Sequence, residues 1–256
     1  MRRRVGISIA LIVAAAVWSV AAPGLAAETT WSYAGANGPA KWGKLGKDNA
    51  TCGTGQLQSP IDIPDAKVRK GDIPPLLFNY KPAPIRIVDT GNTIQVNYPP
   101  GSFLTVSGKR YELVSIDFHK PSESKVSGKG HDMSVHLVHK GEDGKQAIVV
   151  VFLDQGNENE VIKTLWKNLP VTKGKEIVVD GTTINALGLL PKNKDYYQYQ
   201  GSLSTPPCTE NVTWIVLKMP ATLSGESIAR FGRLYTGNVR PIQPLNDRDI
   251  VGSASR

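Results

Sequence analysis

The 256-residue chain is 40% hydrophobic and 20% charged, with a formal net charge of +8. Arg2, Arg3 and Arg4 supply three of those charges, so the remainder carries +5. Its lysines alternate with acids and are not interleaved with aromatics, which excludes a nucleic-acid groove and describes a solvated, mildly basic surface. The three arginines precede an apolar run from about Val5 to Val20, which Pro23 and Gly24 break before Ala26 and Ala27. This is the layout of a secretory signal peptide over residues 1–26, cleaved near Ala26/Ala27. The apolar run is short for a bilayer span, and no second long one follows. The expected mature protein is a single domain over residues 27–256, periplasmic or secreted, with no stable membrane anchor. About 230 residues suffice for one substantial core.

Gly38 to Leu45 superficially fits the start of a phosphate loop. Leu45 stands where a magnesium-binding hydroxyl is needed, however, and no apolar strand leads in. No Gly-x-Ser-x-Gly elbow occurs, so a hydrolase triad finds no support. The two cysteines, Cys52 and Cys208, are widely spaced; in an exported chain such a pair predicts one structural disulfide, contributing roughly 4 kcal/mol.

The periodicity is mostly that of strands. Ile85 to Val88 and Thr93 to Tyr98 flank a Thr90-Gly91-Asn92 turn, and Ser115 to His119 and Met133 to His139 follow. Ala147 to Leu153 is continuously apolar, as a strand buried on both faces requires, and Val212 to Leu217 is another. Helical patterning is confined to Asn157–Leu165 and Ser224–Phe231. With 18 prolines and 25 glycines, the rest reads as loops. The pattern predicts one mostly β domain with short peripheral helices.

All four histidines, His119, His131, His136 and His139, fall within twenty-one residues. Residues two apart on a strand share a face, so Asp117 and His119 point the same way. His136 completes a three-ligand face if its strand is a neighbour. His139, an odd number of residues away, points to the opposite face and reads as structural. His131 lies in the connection and is expected at the surface.

Six collinear segments then resemble the alpha-class carbonic anhydrases, most closely their bacterial secreted members. They are Trp31-Ser32-Tyr33 with Asn37-Gly38-Pro39 and Trp42; Gln58-Ser59-Pro60-Ile61-Asp62-Ile63; Phe118-His119-Lys120-Pro121-Ser122-Glu123; His136-Leu137-Val138-His139; Tyr199 through Cys208; and Asn238 through Leu245. The resemblance implies a large, twisted, mainly antiparallel central sheet with zinc at the bottom of a conical cleft. It also implies reversible hydration of carbon dioxide to bicarbonate, the metal lowering the pKa of its water to roughly 7. By the same resemblance the metal positions fall on Asp117, His119 and His136. Ser204 and Glu123 take the places of the groups that orient the attacking hydroxide. Val138, Ile148, Leu203, Thr205, Val212 and Trp214 correspond to the substrate pocket.

Four positions depart from the family. Asp117 stands where the first histidine ligand is usual. Ser115 and Ser134 replace the glutamine and glutamate that support the ligands, a loss that typically weakens metal affinity or activity roughly 10–100-fold. Asn92 occupies the position of the proton-shuttling histidine and cannot titrate near neutral pH. Aspartate oxygen is an acceptable zinc ligand, but the side chain is shorter than histidine and adds a negative charge, so the attacking water should be less acidic than in the family. Two readings follow. One is a carbonic anhydrase with weakened, alkaline-biased activity that releases its proton to buffer. The alternative is a catalytically inactive homologue acting as a binding or structural module. The resemblance supplies no protein partner and no oligomeric state.

Overall fold

The computed structural model describes residues 30–253; the expected signal peptide and its cleavage point lie outside them. A 13-stranded sheet dominates. Its main path runs Ile177–Ile184, Ala83–Asp89, Ile94–Asn97, Lys109–His119, Met133–Gly141, Gln146–Gln155, Glu210–Leu217, Tyr196–Ser202, Val251–Ser253 and Arg69–Gly71. Most neighbours are antiparallel; Gln146–Gln155 pairs in parallel with Glu210–Leu217, as does Val251–Ser253 with Arg69–Gly71. The sheet is thus mixed, with antiparallel pairs in the majority.

Side-chain alternation divides the interior into two cores. From the Gln146–Gln155 strand, Ala147, Val149, Val151 and Leu153 enter the larger core, while Ile148, Val150 and Phe152 enter the smaller one. Burial on both faces accounts for the unbroken apolar run. Two helices cover the larger core. Asn159 caps Glu160–Lys167 by accepting from the amides of Val161 and Ile162, so this helix begins three residues later than the expected Asn157. Ser224 caps Gly225–Leu234 through the amide of Ser227. Their rings meet beneath the sheet: Trp166 stacks on Phe231 with centroids 5.7 Å apart, and Phe118 packs 4.8 Å from Trp166. Phe118, between the two candidate ligands Asp117 and His119, therefore anchors their strand from behind.

A β-bulge decides what the Lys109–His119 strand shows to each face. Leu113 pairs with His139 but Ser115 pairs with Val138, which leaves Val114 as the extra residue. Before the bulge Tyr111 and Leu113 face the larger core; after it Ile116 and Phe118 do. The parity switch sends Ser115, Asp117 and His119 to the opposite face.

His139 lies on the core side, as its spacing from His136 predicts. Tyr80 Oη donates to its Nε2 at 2.6 Å, and its Nδ1 donates to the Ala147 carbonyl at 3.2 Å. Burial pulls its pKa down to about 4. An unfolded histidine titrates near pH 6.5, so on acidification the unfolded chain takes up this proton before the folded one does. The stabilisation is complete above about pH 6.5 and is lost towards pH 4, at a cost of about 3 kcal/mol. Urea denaturation of the wild type and His139→Phe at pH 7 and pH 4.5 checks this. The variant starts weaker, because Tyr80 loses its acceptor, but should show the shallower pH dependence.

His131 departs from expectation. Only 10% of its side chain is exposed, because the ring stacks on Phe152 at 4.2 Å and Nδ1 meets Asp154 Oδ1 at 2.8 Å. The Phe152 ring and the Asp154 carboxylate hold it against the domain.

Candidate metal centre

Adjacent strands bring the candidate ligands together. Asp117 sits directly across from His136 in the antiparallel register, and the His119 and His136 rings lie 4.3 Å apart. They form the floor of a cleft of about 420 Å³. One wall is apolar, with Val138, Ile148 and Leu203; the other is polar, with Asn92, Gln95 and Ser115. Ser204 and Thr205 also line it, as do Trp31 and Tyr33 from the N-terminal aromatic cluster. Val212 and Trp214 belong to the smaller core behind the apolar wall, and Trp214 turns its ring edge-on to His136 at 5.4 Å.

Hydrogen bonds set the tautomers. His119 Nδ1 lies 2.9 Å from the Asn238 carbonyl, which can only accept, so Nδ1 carries the proton and Nε2 keeps its lone pair. His136 places Nε2 3.4 Å from Ser134 Oγ, and its Nδ1 faces Glu123 Oε2 at 3.8 Å. Burial, reinforced by neighbouring His119, pushes the His136 imidazole well below the ordinary histidine range, so the ring is neutral.

Two carboxylates surround this pair. Asp117 accepts from Ser115 Oγ at 3.1 Å through Oδ2, while its buried Oδ1 has no partner. Burial raises its pKa to about 6; His119 and the Ser115 bond oppose that rise, and Glu123 adds to it. Glu123 Oε1 accepts from the Arg240 amide at 3.0 Å, and Oε2 has no partner. Ser204 therefore does not hydrogen-bond to Glu123 Oε2 in this structure. Among the described residues, one donor atom each from His119, Glu123 and His136 lie within 4.8 Å of one another; Asp117 is not in that group.

The donors fit a divalent cation. Imidazole nitrogens and carboxylate oxygens are acceptable zinc ligands. Unpartnered, buried carboxylate oxygens cost several kcal/mol unless a cation or proton compensates them.

Two residues from the C-terminal segment hold the site in ways their local sequence does not announce. Asn238 holds His119 with its carbonyl, donates from Nδ2 to the carbonyls of Phe118 and Asn92, and accepts from the Lys120 amide. Arg240 fixes Glu123 through its amide, and its guanidinium donates to Gln58 Oε1 and to the carbonyls of Ser59 and Cys52. Their shared segment, Asn238-Val239-Arg240, was the available signal, but nothing local in it points to a ligand more than 100 residues away. The Cys52–Cys208 disulfide forms as expected and closes the same corner, 156 residues apart in sequence.

The profile described as eukaryotic-type carbonic anhydrase matches residues 37–254. The carbonic anhydrase of Nostoc sp. is 38% identical over 237 residues, covering 91% of this chain and 89% of that protein. That of Neisseria gonorrhoeae is 38% identical over 243 residues, covering 94% of each. Among solved structures, a hyperthermostable carbonic anhydrase from a hydrothermal vent chimney superposes with a TM-score of 0.84 at 41% identity, over 88% of this chain and all of that one. Dioscorin complexed with ascorbate superposes at 0.81 and 29% identity, over 89% of this chain and all of that one.

Proposed function

From the chain's membership of the eukaryotic-type carbonic anhydrase family, shown by that match over residues 37–254, we propose that it catalyses the reversible hydration of carbon dioxide, with turnover weakened by its altered metal centre. The observation that carries this reading is the pair His119 and His136, whose rings lie 4.3 Å apart in one cleft that Val138, Ile148 and Leu203 also line. These histidines, with a carboxylate, would hold zinc, which when bound makes water acidic enough to attack at moderate pH. The apolar wall of Val138, Ile148 and Leu203 offers carbon dioxide a surface that does not compete for it with hydrogen bonds. Asn238 and Ser134 hold the imidazole orientations, and neutral His136 keeps a lone pair available. Ser204 and Thr205, which line the same cleft, would supply hydroxyls to orient the attacking group.

Export of a mature domain beginning near Ala27 belongs to the same proposal. The disulfide supports it, since such bonds persist in oxidising compartments. Among the described residues no helix is long and apolar enough to cross a membrane.

Purified mature protein should contain close to one zinc per chain, and its hydration rate should rise from pH 7 to pH 10. Absence of zinc at micromolar metal, with no catalysis at any pH, would sink the enzymatic reading. The binding-module alternative, favoured by Asp117 lying outside the close donor group, would then stand.

Proton release supplies a separate check. Asn92 lines the cleft rim and has no titratable proton. Turnover should therefore climb with imidazole buffer concentration, and Asn92→His should raise the rate in dilute buffer roughly tenfold or more, within the usual range of a positioned acid or base. A rate indifferent to both would show that another step limits.

A further inference from the structure

We propose that Arg86 and Glu176, at the edge of the sheet, act on the cleft from outside it: through Asn97 they fix which end of the Gln95 side-chain amide a cleft ligand meets. The consequence for bicarbonate rests on the hydration reading above; the orientation itself does not. Ile85, Ile87, Ile94 and Val96 enter the larger core, so Arg86, Gln95 and Asn97 stand on the opposite face of their strands. Gln95 sits directly across from Asp117, and Asn97 from Ser115.

The chain of hydrogen bonds runs one way. Arg86 Nη2 donates to Glu176 Oε1 at 2.6 Å, and Asn97 Nδ2 donates to Glu176 Oε2. A carboxylate paired with a guanidinium only accepts, so Asn97 turns Nδ2 towards it and Oδ1 away. Asn97 Oδ1 in turn accepts from Gln95 Nε2 at 2.6 Å. Gln95 Oε1 is left without a partner among the described residues, on a side chain that lines the cleft. Reversing either amide alone would set oxygen against oxygen. Neighbouring hydroxyls are committed in the same sense: Thr93 Oγ1 donates to the Phe118 carbonyl at 2.6 Å, and Ser115 Oγ to Asp117 Oδ2 at 3.1 Å. With Asp117 Oδ1 unpartnered as well, this wall offers a ligand lone pairs more than hydrogens. Such a surface suits water, which can donate to it, and repels anions. Bicarbonate, the anionic product, is then held weakly, while neutral carbon dioxide on the apolar wall is unaffected.

Swapping the outer pair is the test. Arg86→Glu combined with Glu176→Lys keeps the ion pair and the net charge, but the group that meets Asn97 becomes a donor. Asn97 should turn Oδ1 to it, and Gln95 should turn Nε2 to the cleft. Neutron diffraction from the deuterated mature protein distinguishes the two ends of each amide and needs no metal. Nitrate, titrated into the isotope-labelled protein and followed through the Gln95 side-chain amide signal, probes the wall. The swap is expected to tighten nitrate binding about tenfold, the effect of one added hydrogen bond to a charged group. It should also lower KM and kcat for bicarbonate dehydration together, leaving kcat/KM for hydration near the wild-type value. Arg86→Lys, which keeps Glu176 an acceptor, should match the wild type. Should the swap fail to fold, as read by thermal unfolding, Glu176→Gln removes the one-way constraint and is expected to tighten nitrate binding about threefold. Wild-type Gln95 with Oε1 on Asn97, or unchanged nitrate binding in the swap, overturns the proposal while leaving the hydration reading intact. Tighter nitrate binding in a protein that turns over no bicarbonate supports the wall's polarity and overturns the hydration reading.

Discussion

Replacing Asp117 with histidine is expected to raise carbon dioxide hydration at pH 7 by at least about tenfold. The substitution removes one negative charge from a floor that also contains Glu123, and it offers a third, longer imidazole donor opposite His136. Less negative charge lowers the pKa of the attacking water. Each unit of that fall raises its ionised fraction at neutral pH about tenfold, until the pKa nears the working pH. The gain should therefore be largest at pH 7 and should narrow towards pH 10. Ser115 and Ser134 would still provide weaker support than an amide or carboxylate, so the variant should remain below a three-histidine relative by the roughly 10–100-fold that such partners contribute. Stopped-flow hydration across the pH range, with zinc content measured for each protein, checks both magnitude and shape. A zinc-replete variant with an unchanged pH profile would show that the charge of Asp117 does not limit the rate.

Loss of the Cys52–Cys208 disulfide should give the largest stability change. The bond joins residues 156 apart, and the chain-entropy argument assigns about 4–5 kcal/mol to closing so long a loop. With a denaturant slope of about 2–3 kcal/mol/M in urea, the midpoint of a Cys52→Ser, Cys208→Ser variant should fall by about 2 M. The effect should reach the cleft as well. The Cys208 amide bonds to the Thr205 carbonyl, and the Cys52 carbonyl accepts from Arg240, whose amide holds Glu123. Metal affinity should fall along with stability. A midpoint that moves by less than about 0.5 M would mean that the burial of Trp42 and the Arg240 bonds already hold this corner without the covalent link.

Much of this protein was legible in its residues. Alternation placed Asp117 and His119 on one face and His139 on the other, the unbroken run from Ala147 to Leu153 announced burial on both sides, and two distant cysteines announced a cross-link. These are local or pairwise properties, written in spacing and side-chain chemistry. What the tertiary structure alone decided depends on contacts between distant parts of the chain. The bulge at Val114 reverses the parity of its strand, so the assignment of Ser115, Asp117 and His119 to the cleft depends on one unpaired residue that no hydrophobic period marks. His131 lost its expected exposure to Phe152 and Asp154, both more than twenty positions away. Asn238 and Arg240 orient His119 and Glu123 from the far end of the chain. The sequence by itself determined the family, the sheet and the face that Asp117 and His119 share, and gave Glu123 no place among the candidate ligands. Only the folded chain decided which carboxylate lies closest to His136, because that distance is set by an amide 117 residues from Glu123.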